Sequence, residues 1–212
     1  MTGQKTPVLG LILAGGLGRR MGGTSKPMLD LGGVRLIERV IRAAQAQCEA
    51  VAINLHDATP EAQAAFAPFD LPLLADALPG HAGPLAGVLA GLDYAAAKGF
   101  GALLSLPCDC PFLPDDLAAR LYEAAQKSPA GLACAASGGR THHVVALWPT
   151  RLREKLRRAL VDEDLRKVGQ FQQTIGCAQV EWFFRTRDPF FNVNTPEELL
   201  QAQEWLAMRL EP

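Results

Sequence analysis

Two rhythms alternate along the chain. Apolar runs at 7–15 (PVLGLILAG), 50–54 (AVAIN), 71–76 (LPLLAD) and 101–109 (GALLSLPCD) read as strands, and between them apolar residues recur at helical spacing. In LIERVIRAAQAQ, Leu36, Val40 and Ala44 share one stripe. PEAQAAF opens with Pro60, which suits a first helical position, and PLAGVLAGLDYAAA turns Leu85, Val88, Leu89 and Leu92 to one side. Strands alternating with helices in this way predict an α/β fold, a parallel sheet covered on both faces. The unbroken apolar character of ALLSL places that strand at the centre, buried on both sides.

Beyond residue 110 the spacing predicts a helix over LPDDLAARLYEAAQK with Asp115 and Asp116 in its first turn, where carboxylates favour the helix dipole. After about residue 130 the rhythm loosens. HVVALWP reads as a strand, Leu152, Leu156 and Leu160 give a basic helix one buried stripe, and QVEWFFR alternates like an edge or antiparallel strand. The last helix carries a full start signal, with Thr195 as cap, Pro196 at the first position and Glu198 three residues after the cap. No repeat or linker interrupts the pattern, so 1–212 is expected to be a single domain whose C-terminal third forms a small mixed subregion.

Composition narrows the function. A formal net charge of -1 over 212 residues excludes the broad positive surface of a protein that neutralises many nucleic-acid phosphates. No apolar run reaches the roughly 20 residues that span a bilayer, so a cytoplasmic, membrane-free protein is expected. The five cysteines, Cys48, Cys108, Cys110, Cys134 and Cys177, are scattered and include no C-x-x-C, which fits reduced thiols rather than a zinc site. The pair around Asp109 reads as packing, and so do Phe183, Phe184, Phe190 and Phe191.

The candidate chemistry starts where the first strand empties into glycine and positive charge, LAGGLGRRMGGTSKP at 13–27. Glycines after a strand let backbone N–H groups converge on an anion. The loop is not a P-loop, because Lys26 does not directly follow a glycine. It is not a G-x-G-x-x-G dinucleotide turn either, because Met21 stands where the third glycine belongs. Its length suits a whole triphosphate, with Arg19 and Lys26 as fixed cations. Asp109 ends the central strand at the edge where ligands of open sheets bind, and a lone carboxylate opposite a phosphate loop suits Mg2+. Asn54 and Asp76 follow strand-like runs and are expected at the same edge. Gly83 and Gly87 flank a helix start, a second place for backbone donors to meet an anion. The capping box leaves Asn192 and Asn194 unexplained, and His142 and His143 read as surface or turn residues.

LAGGLGRRMGGTSKP resembles the signature of nucleotidyltransferases with a Rossmann-like fold, and the doubled glycine after Met21 is similar to that of the molybdenum cofactor guanylyltransferase (MobA) branch. GPLAG at 83–87, PCDCPFLPDDL at 107–117, GRTHHVVALWP at 139–149 and FFNVNTPEEL at 190–199 agree in order and spacing. Ser25 departs from the aspartate that the family places before the loop lysine. The resemblance implies a three-layer α/β/α Rossmann-like, mostly parallel sheet and transfer of GMP from GTP to molybdopterin, with Mg2+ as cofactor. It implies that Leu13, Ala14, Gly15, Lys26, Asn54, Asp76 and Asp109 bind the nucleotide, that Arg19, Lys26 and Asp109 act in catalysis, and that Asp109 holds the metal. Gly83, Gly87, His142, Asn192 and Asn194 would line the molybdopterin side, with His142 toward the pterin phosphate. A monomer in transient contact with molybdopterin-handling proteins is expected. A cytidylyl or sugar-phosphate transferase on the same scaffold, and a non-catalytic GTP-binding carrier, stay open on the residues alone.

Overall fold

The structure, a computed structural model, describes residues 6–15, 25–78 and 83–208. Strand β1 (Val8–Leu13) leads through a short hairpin, β2 (Asp30–Leu31) and β3 (Val34–Arg35), into helix α1 (Leu36–Gln45) and strand β4 (Ala50–Leu55). Helix α2 (Pro60–Phe66), strand β5 (Leu73–Ala75), helix α3 (Pro84–Ala97), strand β6 (Ala102–Pro107) and helix α4 (Leu117–Lys127) follow. The C-terminal part adds β7 (Leu132–Ser137), β8 (Arg140–Pro149), α5 (Arg153–Val161), α6 (Val168–Ile175), β9 (Cys177–Trp182) and α7 (Pro196–Ala207).

Seven strands form one sheet in the order β5-β4-β1-β6-β8-β7-β9. β5, β4, β1 and β6 run parallel, β8 is antiparallel to both neighbours, and β9 pairs parallel with β7. The mixed C-terminal part is therefore built around one reversed strand. β9 is an edge strand as its alternation implied, but it is parallel to its neighbour. Strand side chains alternate between faces, so β1 feeds two cores. Val8 and Ile12 join Ile37, Val40, Leu104, Leu117 and Leu121 under α1 and α4. Leu9 and Leu11 join Leu85, Leu89, Leu92, Trp148, Leu156 and Phe171 under α3, α5 and α6. Each fully buried leucine contributes about 1.5–3 kcal/mol. A third cluster, Leu31, Leu36, Phe112, Val193 and Ala202, ties α7 and the hairpin to the turn after β6.

Three local expectations are corrected. α4 begins at Leu117, so Asp115 and Asp116 precede its first turn. Asp116 instead accepts a hydrogen bond from Trp182 Nε1 at 2.9 Å and pairs with Arg120. Phe190 is core, whereas Phe183 is 92% exposed and Phe184 is also exposed, because the buried alternation ends at Trp182. His142 is buried within β8, where its ring packs on Phe190 with centroids 4.9 Å apart, so it is not a surface turn residue. Among the described residues no helix is long and apolar enough to cross a membrane.

Candidate active site

Parallel register brings several strand ends to one rim. Leu13 pairs with Asn54 on one side and Pro107 on the other, and Asn54 pairs with Leu74. The Ala14 N–H donates to the Asn54 carbonyl at 2.9 Å and the Cys108 N–H to the Leu13 carbonyl at 3.2 Å, which carries this alignment past the ends of the strands. Asn54, Asp76 and Asp109 thus share the carboxyl edge of the sheet, as their sequence positions predicted. Gly15 lies directly against the backbone of His56. Arg19 and the middle of the glycine loop lie outside the described residues.

Lys26 opens a 3-10 turn, Lys26–Met28, anchored by the buried Pro27. Its ammonium donates to Asp109 Oδ2 and, at 2.5 Å, to Asn194 Oδ1. Asn192 Nδ2 donates to the other Asp109 oxygen at 2.8 Å, and the Val193 N–H donates to the Asp109 carbonyl at 3.0 Å. Asn192 is thereby fixed on Asp109 and Asn194 on Lys26, although both asparagines lie far from Lys26 in sequence. The α7 cap explains how. Thr195 Oγ1 accepts from the Glu198 N–H at 3.2 Å, while Glu198 accepts from the N–H groups of Thr195 at 2.9 Å and of Asn194 at 2.6 Å. The same cap that starts the helix thus orients the amide facing Lys26.

A second cluster lies on the β4 side. Asn54, buried at 3% exposure, donates from Nδ2 to the Leu74 carbonyl at 3.1 Å and to Asp76 Oδ1 at 3.0 Å. His56 Nδ1 meets the other oxygen, Asp76 Oδ2, at 2.7 Å. This hydrogen bond to Asp76 raises the His56 pKa above the ordinary imidazole value, against burial, with the Asp57 carboxylate adding to it. His56 escaped the sequence reading. It lies two residues after Asn54, in the bend just past the end of β4, and its place next to the strand end was the available signal.

Gly87 is placed differently from the expectation. It is buried in the first turn of α3, where an added Cβ would lie 2.2 Å from Asn54 Oδ1 and 2.9 Å from Leu13 Cδ2. Its lack of a side chain serves the packing of α3 on the rim, so it is removed from the residues that line the acceptor side. Gly83 precedes the helix with φ of 131°, a conformation that only glycine adopts readily, and it is exposed.

A cleft of about 290 Å³ lies on the far side of Asp109 from Asn54, lined by Asn192, Arg140, Thr141, His142 and His143 as well as Asp109 itself. His142 and Asn192 thus line one cleft, and burial lowers the His142 pKa below the ordinary value of 6.5. His143 is exposed and bonded through Nδ1 to Gln172 at 2.7 Å. Cys108 and Cys110 are buried beside Asp109. Burial, reinforced by that carboxylate, pushes the Cys108 thiol up to about 12 and raises Cys110 as well, so both stay protonated and serve packing.

A divalent ion fits the donor set at Asp109. Among the described residues no cluster of three or more His, Cys, Asp or Glu side chains is poised for a metal. Asp109 and the Asn194 carbonyl oxygen nevertheless converge on one cation, the Lys26 ammonium. One carboxylate plus neutral oxygens is the set Mg2+ takes when phosphates and water supply the remainder.

Residues 10–175 match the MobA-like NTP transferase domain. A protein named molybdenum cofactor guanylyltransferase from Bradyrhizobium sp. (strain ORS 278) is 50% identical over 205 residues, covering 96% of this chain and 95% of its own. A protein of the same name from Nitrobacter hamburgensis is 43% identical, covering 98% and 99%. The crystal structure of molybdopterin-guanine dinucleotide biosynthesis protein A from Archaeoglobus fulgidus superposes with a TM-score of 0.72 at 23% identity, over 95% of this chain and 100% of that one. CMP:2-keto-3-deoxy-manno-octonic acid synthetase, with a TM-score of 0.68 at 15% identity and 97% and 100% coverage, shares the fold. By the match over most of its length and by these relatives, the chain belongs to the MobA-like NTP transferase family.

Proposed function

We propose that this chain is a molybdenum cofactor guanylyltransferase that transfers GMP from GTP to molybdopterin and releases pyrophosphate. The observation that carries the proposal is the Lys26–Asp109 ion pair at the sheet rim, with Asn192 on the carboxylate and Asn194 on the ammonium, beside the Asn54–Asp76–His56 cluster. Relatives 43% and 50% identical that bear this name support the choice of reaction.

In the proposed reaction an oxygen of the molybdopterin phosphate attacks the α-phosphorus of GTP. A new P–O bond forms as the bond to the β-phosphate oxygen breaks, and the electron pair leaves with pyrophosphate. A phosphate monoester is substantially ionised near neutral pH, so no side chain has to remove a proton. Catalysis then rests on placement and on neutralising charge. Lys26 supplies a cation held at the rim by two oxygen acceptors, which can exchange one of them for a phosphate oxygen. Arg19 is assigned a second cationic role. Asp109 would hold Mg2+, which when bound neutralises phosphate charge. Leu13, Ala14 and Gly15 give the backbone wall on which the nucleotide rests.

Asp76 is suited to reading the base. Each of its oxygens accepts one protein hydrogen bond, and a carboxylate has about four acceptor positions, which leaves capacity for two N–H groups of guanine. Adenine would turn a ring acceptor toward the same charge. The acceptor substrate is assigned to the Asn192, Asn194 and His142 side, with Gly83 at its margin. We propose further that the protein acts as a cytoplasmic monomer with Mg2+ and meets molybdopterin-handling proteins transiently.

Purified protein incubated with Mg2+, molybdopterin and each nucleoside triphosphate in turn tests the reading. Pyrophosphate and the guanine dinucleotide are expected with GTP. A preference for CTP would favour the sister activity, and GTP binding without any pyrophosphate would favour a carrier.

A further inference from the structure

Behind the cleft, a partly buried chain of hydrogen bonds runs from the loop before α7 to His142. The Phe190 N–H and the Ser137 hydroxyl both reach Asp188 Oδ1, at 2.9 and 2.8 Å, and Ser137 Oγ lies 2.7 Å from His142 Nε2. The chemistry of the partners fixes the direction of each bond. An ionised carboxylate only accepts, and a hydroxyl has a single proton. The Ser137 proton therefore goes to Asp188, and Ser137 Oγ must accept from His142. Nε2 carries the hydrogen, and in the neutral ring Nδ1 carries a lone pair. Phe190 packs against the imidazole with the two rings tilted by 39° and meets Trp182 edge-on with centroids 5.3 Å apart, so the ring is held by packing as well as by the relay. Among the described residues nothing hydrogen-bonds Nδ1, and the residue lines the cleft that holds Asp109 and Asn192.

We propose that Ser137 and Asp188 are positioning residues that lock His142 as its Nε2–H tautomer, so that Nδ1 accepts a hydrogen bond from an N–H of the heterocycle that receives the nucleotidyl group. This rests on the proposed function for the identity of that heterocycle, a pterin, but the tautomer does not depend on it. It also replaces the expected contact between His142 and the pterin phosphate. A lone pair repels phosphate oxygens, whereas pterin ring and amino N–H groups are donors without a charge to neutralise.

Histidine-selective 15N NMR of the full chain tests the tautomer directly. Wild-type His142 is expected as the Nε2–H form, and Ser137→Ala is expected to release it to a mixture. An Nδ1–H signal in the wild type would overturn the proposal whatever the enzyme does. In steady-state assays with GTP and molybdopterin, His142→Phe keeps a ring against Phe190 but has no acceptor, and should raise KM for molybdopterin about tenfold while KM for GTP stays within about twofold. His142→Gln offers both a donor for Ser137 and an acceptor oxygen, and should recover most of that loss. If His142→Gln is as impaired as His142→Phe, or if neither changes KM for molybdopterin, the contact is refuted. Absence of turnover in the wild type would refute the proposed function instead, and the NMR result would still decide the tautomer.

Discussion

Lys26 and Asp109, 83 residues apart in sequence, form an ion pair in which Asn194 shares the ammonium and Asn192 holds the second carboxylate oxygen. A partly buried carboxylate is thus kept in place by one cation and one amide, and its charge is balanced before any ligand arrives. Asp109→Asn removes that charge with little change in shape. Turnover is expected to fall about 100- to 1000-fold or more, while circular dichroism and the urea midpoint stay near wild type. Pyrophosphate release at the wild-type rate would refute the role given to Asp109.

Asn192 acts on Asp109 rather than on the polypeptide as a whole. Asn192→Ala should therefore lower kcat about 10- to 100-fold, in the range seen when groups that orient a ligating carboxylate are removed. Thermal unfolding should move little. A large loss of stability with unchanged kcat would assign Asn192 to the fold alone.

Gly87→Ala tests how closely α3 approaches the rim. The new methyl would sit 2.2 Å from Asn54 Oδ1, and relieving the overlap should cost about 1–3 kcal/mol of stability, read from urea unfolding. The displaced amide should also raise KM for GTP. Stability within error of wild type would contradict the packing described for Asn54.

The His56–Asp76 pair predicts a pH dependence with a definite sign. The His56 pKa is raised by its hydrogen bond to Asp76, so the folded state holds this proton to higher pH than the unfolded chain does. The stability from the pair is fully present below about pH 6.5, the value of an unperturbed histidine, and is lost as pH rises through the folded-state pKa. An NMR titration should place His56 above the free imidazole value in the wild type and return it toward that value in Asp76→Asn. A His56 midpoint at or below the free value would contradict the assignment.

Much of this arrangement is legible in the sequence, and the parts that are not have physical reasons. β1, β4, β6 and α3 announce themselves because strands buried on both faces are apolar without interruption and helices between them are periodic. β7 does not, because LACAAS consists of small residues with little strand preference and gains its identity by pairing between β8 and β9. The β2–β3 hairpin is two residues a side, and α6 is a polar stretch containing Gly169. His142 could not be placed by alternation, since the β7–β8 register shifts between Cys134 and Ala135 and the period is lost there. Asp109, Asn54 and Asp76 were readable as rim residues because strand ends in a parallel sheet share an edge. That Asn192 reaches Asp109 and Asn194 reaches Lys26 depends on tertiary packing of α7, which no local pattern encodes.

Thr195→Ala probes that packing. Loss of the cap should cost about 0.5–2 kcal/mol in thermal or urea unfolding, and it should also weaken catalysis, because Glu198 would no longer be paired with Thr195 Oγ1 while holding the Asn194 N–H. Destabilisation with kcat unchanged would separate the helix start from the site.

A crystal structure of the protein with GTP and Mg2+ bears most directly on the central claim, that the rim between Lys26 and Asp109 receives the triphosphate. The predicted result has phosphate oxygens at Lys26 Nζ, the ion on Asp109 and the guanine edge on Asp76. A nucleotide bound elsewhere, with the Lys26–Asp109 pair undisturbed, would contradict it.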